Sequence, residues 1–247
     1  MEIDLIIDWI RNYVKGSGAK GVVVGNSGGK DSAVVIGLCE KALGKENVLA
    51  IALPCSSINQ DLDDAKLVSD TFGVKTLNVD LTTVYENLCL EIESQILENI
   101  NSSTTINIRP RLRMTTLYAI AQQYGYLVAG TGNACEQFIG YTTKWGDNAS
   151  DFNPLAEFTV SEVLEIGKLI GVPDKIINKA PNDGLGSGND EDKIGVTYKE
   201  IEEYIKTGKT ANPSSMEKIE KKHEQTKHKR QEIPVYKRGW INNILYK

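Results

Sequence analysis

One short segment combines the residue types that bind phosphate groups. It reads Gly25-Asn26-Ser27-Gly28-Gly29-Lys30-Asp31-Ser32 and joins an apolar run to a segment with helical spacing. Glycines let the backbone approach phosphate oxygens closely, and the N–H groups at a helix N-terminus attract an anion. Ser27 and Ser32 add hydroxyl donors, and Asp31 offers oxygen ligands to a magnesium ion on the phosphates. The segment therefore predicts a site for the phosphates of a nucleotide.

This segment differs from the commoner phosphate-binding loops. A Walker A loop has four residues between its first glycine and its Gly-Lys pair, followed by Ser or Thr. Here three residues separate Gly25 from Gly29, and Asp31 stands where the hydroxyl residue belongs. The glycine spacing is also not that of the GxGxxG dinucleotide fingerprint.

The elements around the loop predict an α/β fold. Apolar, β-branched runs predict strands at 20–25, 47–53, 74–79 and 126–129. Apolar residues three and four positions apart predict helices at 1–14, 31–43, 60–72, 81–100, 111–124, 135–141, 159–170, 197–206 and 214–229. Because strands alternate with helices, we expect a single doubly wound, mostly parallel sheet with helices on both faces. We expect residues 1–247 to form one domain.

Three further segments carry local signals. Residues 101–105 are polar and predict a break between helices. Thr159, with Glu162 three residues later, predicts a capping box at the start of the helix at 159–170. Residues 183–192 are rich in glycine and acidic residues and predict a mobile loop, either a lid over a bound intermediate or a passive connection.

Composition excludes several classes of function. Of the 247 residues, 40% are hydrophobic and 25% are charged, which is ordinary for a globular protein. The net charge of −5 gives no support for binding nucleic acid or an anionic membrane. No apolar run is long enough for a membrane span, and the acidic N-terminal residues do not resemble a signal peptide. The four cysteines form no CxxC pair or zinc spacing, so we expect reduced thiols in a cytoplasmic protein.

A second set of motifs narrows the chemistry. The loop contains SGGxDS, which resembles the signature of the PP-loop ATP pyrophosphatases, enzymes that cleave ATP between its α and β phosphates. Residues 130–136 (GTGNACE), 140–147 (GYTTKWGD) and 151–155 (DFNPL) resemble the NAD synthetase pattern GTxxxxE, G[YF]xTKxGD and DxxPL. The RLRM at 111–114, the KAP at 179–181, the DED at 190–192 and the HKR at 228–230 are also similar to motifs of that family.

This resemblance covers nearly the whole chain and carries specific expectations. It implies a fold like that of the adenine nucleotide α-hydrolases and an ATP-dependent ligase that amidates deamido-NAD through an acyl-adenylate. It implies free ammonia as the nitrogen donor, because a glutamine-using version would need a further glutaminase domain; whether a separate partner glutaminase supplies the ammonia stays open on sequence grounds. It also implies a homodimer, for which the helix at 111–124 is the expected interface element.

The resemblance also assigns expected roles to individual residues. Asp31 and Glu136 are expected to bind Mg²⁺ and, together with Lys144, to be the catalytic residues. The residues expected to contact ATP are Gly25, Asn26, Ser27, Gly28, Gly29, Lys30, Asp31, Ser32, Thr131 and Asn182. The residues expected to contact deamido-NAD are Arg111, Lys144, Asp151, His228 and Lys229.

Two positions depart from the family pattern. Val160 stands where the family often has a lysine that contacts ATP, so we expect that contact either to be missing or to come from another residue, such as Lys30 or Lys168. Asn182 stands where the family usually has Thr or Ser, and its side-chain carbonyl still offers an oxygen.

Three alternatives stay open on sequence grounds. A tRNA-modifying PP-loop enzyme could use Cys55 or Cys135 as a sulfur carrier, although the acidic charge and the lack of a CxxC pair argue against it. A non-catalytic nucleotide-binding protein is disfavoured because Asp31 and Glu136 are both present. An amide ligase of the same fold could act on another carboxylate.

Overall fold

The computed structural model describes residues 3–56, 59–179 and 190–236. Its strands are β1 (Val22–Gly25), β2 (Val48–Ala52), β3 (Lys75–Asn78) and β4 (Leu127–Ala129). They form one parallel sheet in the order β3-β2-β1-β4. The predicted strands are therefore confirmed, each shorter than predicted by one or two residues in total.

Eleven α-helices surround this sheet within the described residues. They are α1 (Ile3–Ser17), α2 (Lys30–Leu43), α3 (Asn59–Phe72), α4 (Thr82–Ile96), α5 (Ser102–Tyr124), α6 (Ala134–Ile139), α7 (Val160–Ile170), α8 (Asp174–Ile177), α9 (Asp190–Ile194), α10 (Tyr198–Thr207) and α11 (Pro213–Gln225). Short 3-10 turns at Lys45–Asn47 and Lys227–Lys229 complete the described elements. None of these helices is both long and apolar enough to cross a bilayer.

Hydrophobic cores on both faces of the sheet confirm the doubly wound arrangement. Alternate side chains of a strand point to opposite faces. Val22 and Val24 lie in a core with α1, α2 and α7, whereas Val23 lies in a separate core with α4 and α5. All three valines are fully buried.

A third cluster joins the C-terminal helices to α6 and to the start of α7. Its buried members include Cys135, Val160, Ile201 and Ile219. Glu202 of α10 fixes this packing, because its carboxylate accepts hydrogen bonds from the Ser161 N–H at 2.6 Å and the Ser161 hydroxyl at 2.7 Å. A carboxylate at a helix N-terminus satisfies N–H groups that the helix leaves without partners.

Two sequence expectations about helix boundaries are wrong. Helix α5 begins at Ser102 rather than 111, because Asn101 caps it by accepting a hydrogen bond from the Thr104 N–H at 2.9 Å. The Ser/Thr-rich segment is thus a helix start rather than a break, and Pro110 lies inside the helix. Residues 190–192 lie in α9 rather than in a loop, while the rest of the predicted loop, together with Asn182, lies outside the described residues.

The sheet topology fixes where a ligand can bind. From β1 the chain proceeds outward to β2 and β3, and it then returns to place β4 on the opposite side of β1. Such a reversal leaves a crevice beyond the carboxyl ends of the two central strands, where doubly wound proteins bind ligands. The segments that follow β1 and β4 are the two that carry the SGGxDS and GTxxxxE motifs.

Candidate active site

A cavity of about 530 Å³ opens at this crevice. Its walls come from the loop after β1, the end of β2, the segment after β4 and residues 140–149. The sequence-predicted site residues that line it are Gly25, Asn26, Ser27, Gly29, Lys30, Asp31, Ser32, Thr131, Glu136 and Lys229. The structure therefore brings the residues expected to contact phosphate to one place.

The phosphate loop is shaped by its own side chains. The Gly28 N–H donates to Asn26 Oδ1 at 3.2 Å, and the Gly29 N–H donates to Ser27 Oγ at 3.2 Å. The Ser32 hydroxyl donates to the Gly29 carbonyl at 3.0 Å. Gly28 adopts a φ of +70°, in the left-handed region that favours glycine.

Asn26 also fastens the loop to α3. Its side chain is buried, and its Nδ2 donates to the Ala65 carbonyl at 2.8 Å and to Ser69 Oγ at 3.0 Å. Because its Oδ1 accepts from Gly28, the amide has partners at both ends. Asn26 therefore sets the shape of the loop on the wall of the cavity.

Asp31 and Glu136 meet at the N-terminal turns of α2 and α6, and Asn133 connects them. Asn133 is fully buried; its Oδ1 accepts from the Glu136 N–H at 3.1 Å and its Nδ2 donates to Asp31 Oδ1 at 3.3 Å. The Asn133 N–H in turn donates to Glu136 Oε2 at 3.1 Å, which completes a capping box. Asn133 thus orients both carboxylates, a role that its position in the GTxxxxE motif did not reveal.

The two carboxylates create an excess of negative charge. Burial and then the charge of Asp31 raise the pKa of Glu136 to about 8. A nearby cation would stabilise the ionised form of this carboxyl group and lower its pKa. Two carboxylates at one cavity wall suit Mg²⁺, which prefers oxygen ligands and commonly takes its others from phosphates and water. The residues therefore fit magnesium, although the described residues hold no cluster of three or more His, Cys, Asp or Glu suited to a metal ion.

Lys30 supplies positive charge at the same wall. Its side chain is only 10% exposed, and its Nζ lies 3.0 Å from Asp31 Oδ2. Burial lowers the pKa of Lys30, but the charges of Asp31, Glu136 and Asp190 raise it above the usual value overall. The ammonium group is therefore protonated at neutral pH.

Several other polar residues that line the cavity were not among the predicted site residues. Lys179 Nζ forms ion pairs with Asp61 Oδ1 at 3.0 Å and Asp64 Oδ2 at 2.7 Å. Arg113 lines the wall near β2, where its Nε donates to the Leu53 carbonyl at 3.1 Å. Both residues belong to motifs that resemble those of NAD synthetases, RLRM at 111–114 and KAP at 179–181. That resemblance, rather than the charge of either residue, was the sequence signal that could have identified them.

Asp190 and Tyr141 also belong to the cavity wall. The Tyr141 hydroxyl donates to Asp190 Oδ1 at 3.2 Å, and Asp190 is 5% exposed. This contact links the start of α9 to the residues that follow α6. Asp190 is thus a third carboxylate on the cavity wall whose charge acts on Lys30.

A family model described as NAD synthase matches residues 2–234. The chain belongs to the NAD synthase family. Among curated relatives, an NH(3)-dependent NAD(+) synthetase of Carboxydothermus hydrogenoformans is 39% identical over 93% of this chain and 95% of its own length. One from Finegoldia magna is 41% identical over 90% of each chain.

Solved structures share the fold over nearly the whole chain. An NMN synthetase from Francisella tularensis has a TM-score of 0.89 at 36% identity, covering 95% of this chain and 96% of that one. An NH3-dependent NAD synthetase from Campylobacter jejuni has a TM-score of 0.78 at 27% identity, covering 95% and 97%. The resemblance inferred from the spaced motifs is thereby confirmed.

The five residues expected to contact deamido-NAD occupy different environments. Lys229 lines the cavity, and its Nζ donates to the carbonyls of Gly140 at 2.8 Å and Thr142 at 2.6 Å. Burial lowers the pKa of Lys229. This lysine therefore closes the wall formed by the G[YF]xTKxGD motif of the NAD synthase family.

Arg111, Lys144 and His228 lie together beside the cavity rather than on its wall. Lys144 Nζ donates to the His228 carbonyl at 2.8 Å, and Arg111 Nε donates to the Lys144 carbonyl at 3.3 Å. Arg111 and His228 are exposed. Their grouping joins α5 to the turn after α11 along one edge of the site.

The side chain of Asp151 has one hydrogen-bond partner in β4 and one in α5. Its Oδ2 accepts from the Val128 N–H at 2.7 Å, and its Oδ1 accepts from the Tyr118 hydroxyl at 3.2 Å. Asp151 is not among the residues that line the cavity. Its carboxylate fixes the segment that follows β4 against the end of α5.

The structure also clarifies the departure at Val160. This side chain is buried in the cluster formed by α6, α7 and the C-terminal helices, where an apolar residue packs well. Of the two lysines considered as substitutes, Lys168 is exposed near the end of α7, whereas Lys30 lies on the cavity wall. The structure therefore favours Lys30, which belongs to the phosphate loop itself, over Lys168.

Proposed function

We propose that this chain amidates deamido-NAD to NAD, using ATP and ammonia. One observation carries the proposal: a chain about 40% identical over most of its length to NH(3)-dependent NAD(+) synthetases places its SGGxDS loop and an Asp31–Glu136 pair around one cavity. The tRNA-modifying and non-catalytic alternatives are disfavoured, because the relatives match along nearly the whole chain rather than at the loop alone.

The reaction divides into two displacements. A carboxylate oxygen of the substrate attacks the α-phosphorus of ATP, and pyrophosphate leaves with the electrons of the broken P–O bond. Ammonia then attacks the acyl carbon of the adenylate, loses a proton and displaces AMP. No protein nucleophile is required, so positioning and electrostatic stabilisation supply the rate.

The residues of the chain have distinct tasks in this scheme. The N–H groups and hydroxyls of the loop from Ser27 to Ser32 would hold phosphate oxygens, with Lys30 and Thr131 beside them. Asp31 and Glu136 would hold Mg²⁺, which when bound neutralises charge on the phosphates. Basic groups suit a substrate that carries a pyrophosphate, so Lys229 on the wall and the Arg111–Lys144–His228 edge would contact deamido-NAD.

We also propose a homodimer. Helix α5 buries only Ile108, Pro110 and Ala121 along its 23 residues. Exposed apolar side chains extend over α4 and α5, among them Val84, Leu88, Ile96, Ile106 and Tyr124. Exposed apolar side chains on neighbouring helices are common at subunit interfaces. Sedimentation equilibrium at micromolar concentration is expected to give twice the chain mass, and a monomer would contradict the proposal.

We further propose that residues 1–247 form a single domain, since the family match spans 2–234.

A second substrate is favoured by one specific observation. The NMN synthetase from F. tularensis has a higher TM-score and identity to this chain than the C. jejuni NAD synthetase does. The same two displacements on nicotinate mononucleotide, which lacks the adenylate half of deamido-NAD, would produce NMN. The phosphate loop and carboxylate pair would serve either substrate equally.

One assay compares the two substrates, each supplied separately. Purified protein with ATP, Mg²⁺ and ammonium is supplied with deamido-NAD or nicotinate mononucleotide, and the products are separated by chromatography. We expect ammonium-dependent NAD formation with a higher kcat/KM for deamido-NAD. A kcat/KM at least about tenfold higher for the mononucleotide, an energy difference near 1.4 kcal/mol, would establish the second substrate instead. If neither substrate led to pyrophosphate release, both proposals would be contradicted.

A further inference from the structure

Lys30 occupies an unusual electrostatic position. It is the first residue of α2, and its side chain, about nine-tenths buried, turns back to contact the carboxylate of the next residue. The three carboxylates whose charges act on it, Asp31, Glu136 and Asp190, come from three different helices. Lys30 therefore places an ammonium group in contact with one carboxylate and under the influence of two others.

The Lys30 ammonium contacts the Asp31 oxygen that does not accept from Asn133. Asp31 Oδ1 accepts from the Asn133 amide, and Asp31 Oδ2 faces the Lys30 ammonium at 3.0 Å. A divalent cation bound at Oδ2 would lie within a few ångströms of this ammonium, and two cations at such a distance in a partly buried site repel strongly. The ammonium and a metal ion therefore compete for Asp31.

We propose that Lys30 is an internal counter-ion that occupies Asp31 in the nucleotide-free protein and transfers to a phosphate group when ATP arrives with its metal ion. The proposal rests on the magnesium–ATP role proposed above for this site. Lysine suits the exchange because its flexible stem lets a compact charge move between two partners. The cavity wall that Lys30 lines also carries Ser27 and Gly29, where phosphate oxygens would lie. The consequence is an order of binding in which the free protein takes up little metal and the metal ion enters with the nucleotide.

Metal binding without any substrate tests this directly. Mn²⁺ serves as the probe, and its free concentration is followed by electron paramagnetic resonance while the protein is titrated. Without nucleotide, Lys30→Met is expected to bind Mn²⁺ at least about tenfold more tightly than the wild type, since the competing charge is removed. Lys30→Arg keeps the charge and should bind Mn²⁺ as weakly as the wild type. Lys168→Met removes an exposed lysine on α7 and should change nothing.

The wild-type protein provides a second measurement that does not depend on a variant folding well. Addition of the non-cleavable analogue α,β-methylene-ATP is expected to tighten Mn²⁺ binding by at least about tenfold, as phosphate oxygens join the ligands and draw Lys30 away. The analogue should tighten Mn²⁺ binding less in Lys30→Met, where the ammonium is already absent.

Two results would overturn the inference. One is a Lys30→Met protein, folded by thermal melting, that binds Mn²⁺ no more tightly than the wild type. The other is wild-type protein that binds Mn²⁺ as tightly without the analogue as with it. Neither titration contains deamido-NAD or ammonium, so a failed amidation assay and a failed Mn²⁺ result remain distinguishable.

Discussion

Asp31→Asn is expected to reduce kcat for amidation by at least about a thousandfold, equivalent to roughly 4 kcal/mol of transition-state stabilisation. The amide keeps an oxygen that can accept from Asn133 but removes the charge that would hold a metal ion. The variant should still fold but lose some stability: it relieves the repulsion between Asp31 and Glu136, but it leaves the buried Lys30 ammonium without its ion pair. Pyrophosphate release gives the activity, and thermal melting confirms that the protein is folded.

Glu136→Gln tests the second carboxylate, and the chain offers a closely matched control. Glu136 is the third residue of α6 and completes a capping box with Asn133, a role that glutamine can also fill. Glu162 has the same place in α7, where it completes a capping box with Thr159 away from the cavity. We expect Glu136→Gln to lose activity by about a hundredfold or more and Glu162→Gln to keep it. If the two variants were equally active, the proposal that Glu136 binds the metal ion would be contradicted.

Much of the fold follows from local patterns. Each strand and most helix positions agree with apolar periodicity, and the capping box at Thr159 is present as predicted. The convergence of the SGGxDS and GTxxxxE segments also follows, because carboxyl ends of adjacent parallel strands share one edge of a sheet. Strand order was not derivable from spacing, since β4 pairs with β1 only through contacts about a hundred residues apart along the chain.

The parts of the site that sequence did not reveal depend on side-chain direction. Arg111 and Arg113 belong to one motif, but residues two positions apart on a helix point to nearly opposite sides. Arg113 consequently reaches the cavity wall at Leu53, while Arg111 is exposed at the edge. In the same way, Lys179 pairs with Asp61 and Asp64 across more than a hundred residues, a contact that no local pattern encodes.

Gly28→Ala is expected to lower kcat/KM for ATP by about a hundredfold and to destabilise the protein by roughly 2–4 kcal/mol. Gly28 has a φ of +70°, and a Cβ there would lie 2.7 Å from the Asp61 carbonyl oxygen and 2.9 Å from the Ala65 nitrogen. Both neighbours are backbone atoms of α3, so they cannot give way as a flexible side chain would. The loop must move away from α3, and its N–H groups then leave the positions where they would meet phosphate.

Gly208→Ala separates this collision from backbone strain. Gly208 has a similar φ of +72° at the end of α10, and a Cβ there would meet nothing within 4 Å. Its alanine variant should be destabilised only by the strain of the left-handed conformation, about 1–2 kcal/mol, and should retain the wild-type KM for ATP. Melting temperatures and ATP kinetics of the two variants give the comparison. If Gly28→Ala kept the wild-type KM for ATP, the contact between the phosphate loop and α3 would have no part in nucleotide binding, and the N–H groups after β1 would not be the phosphate site.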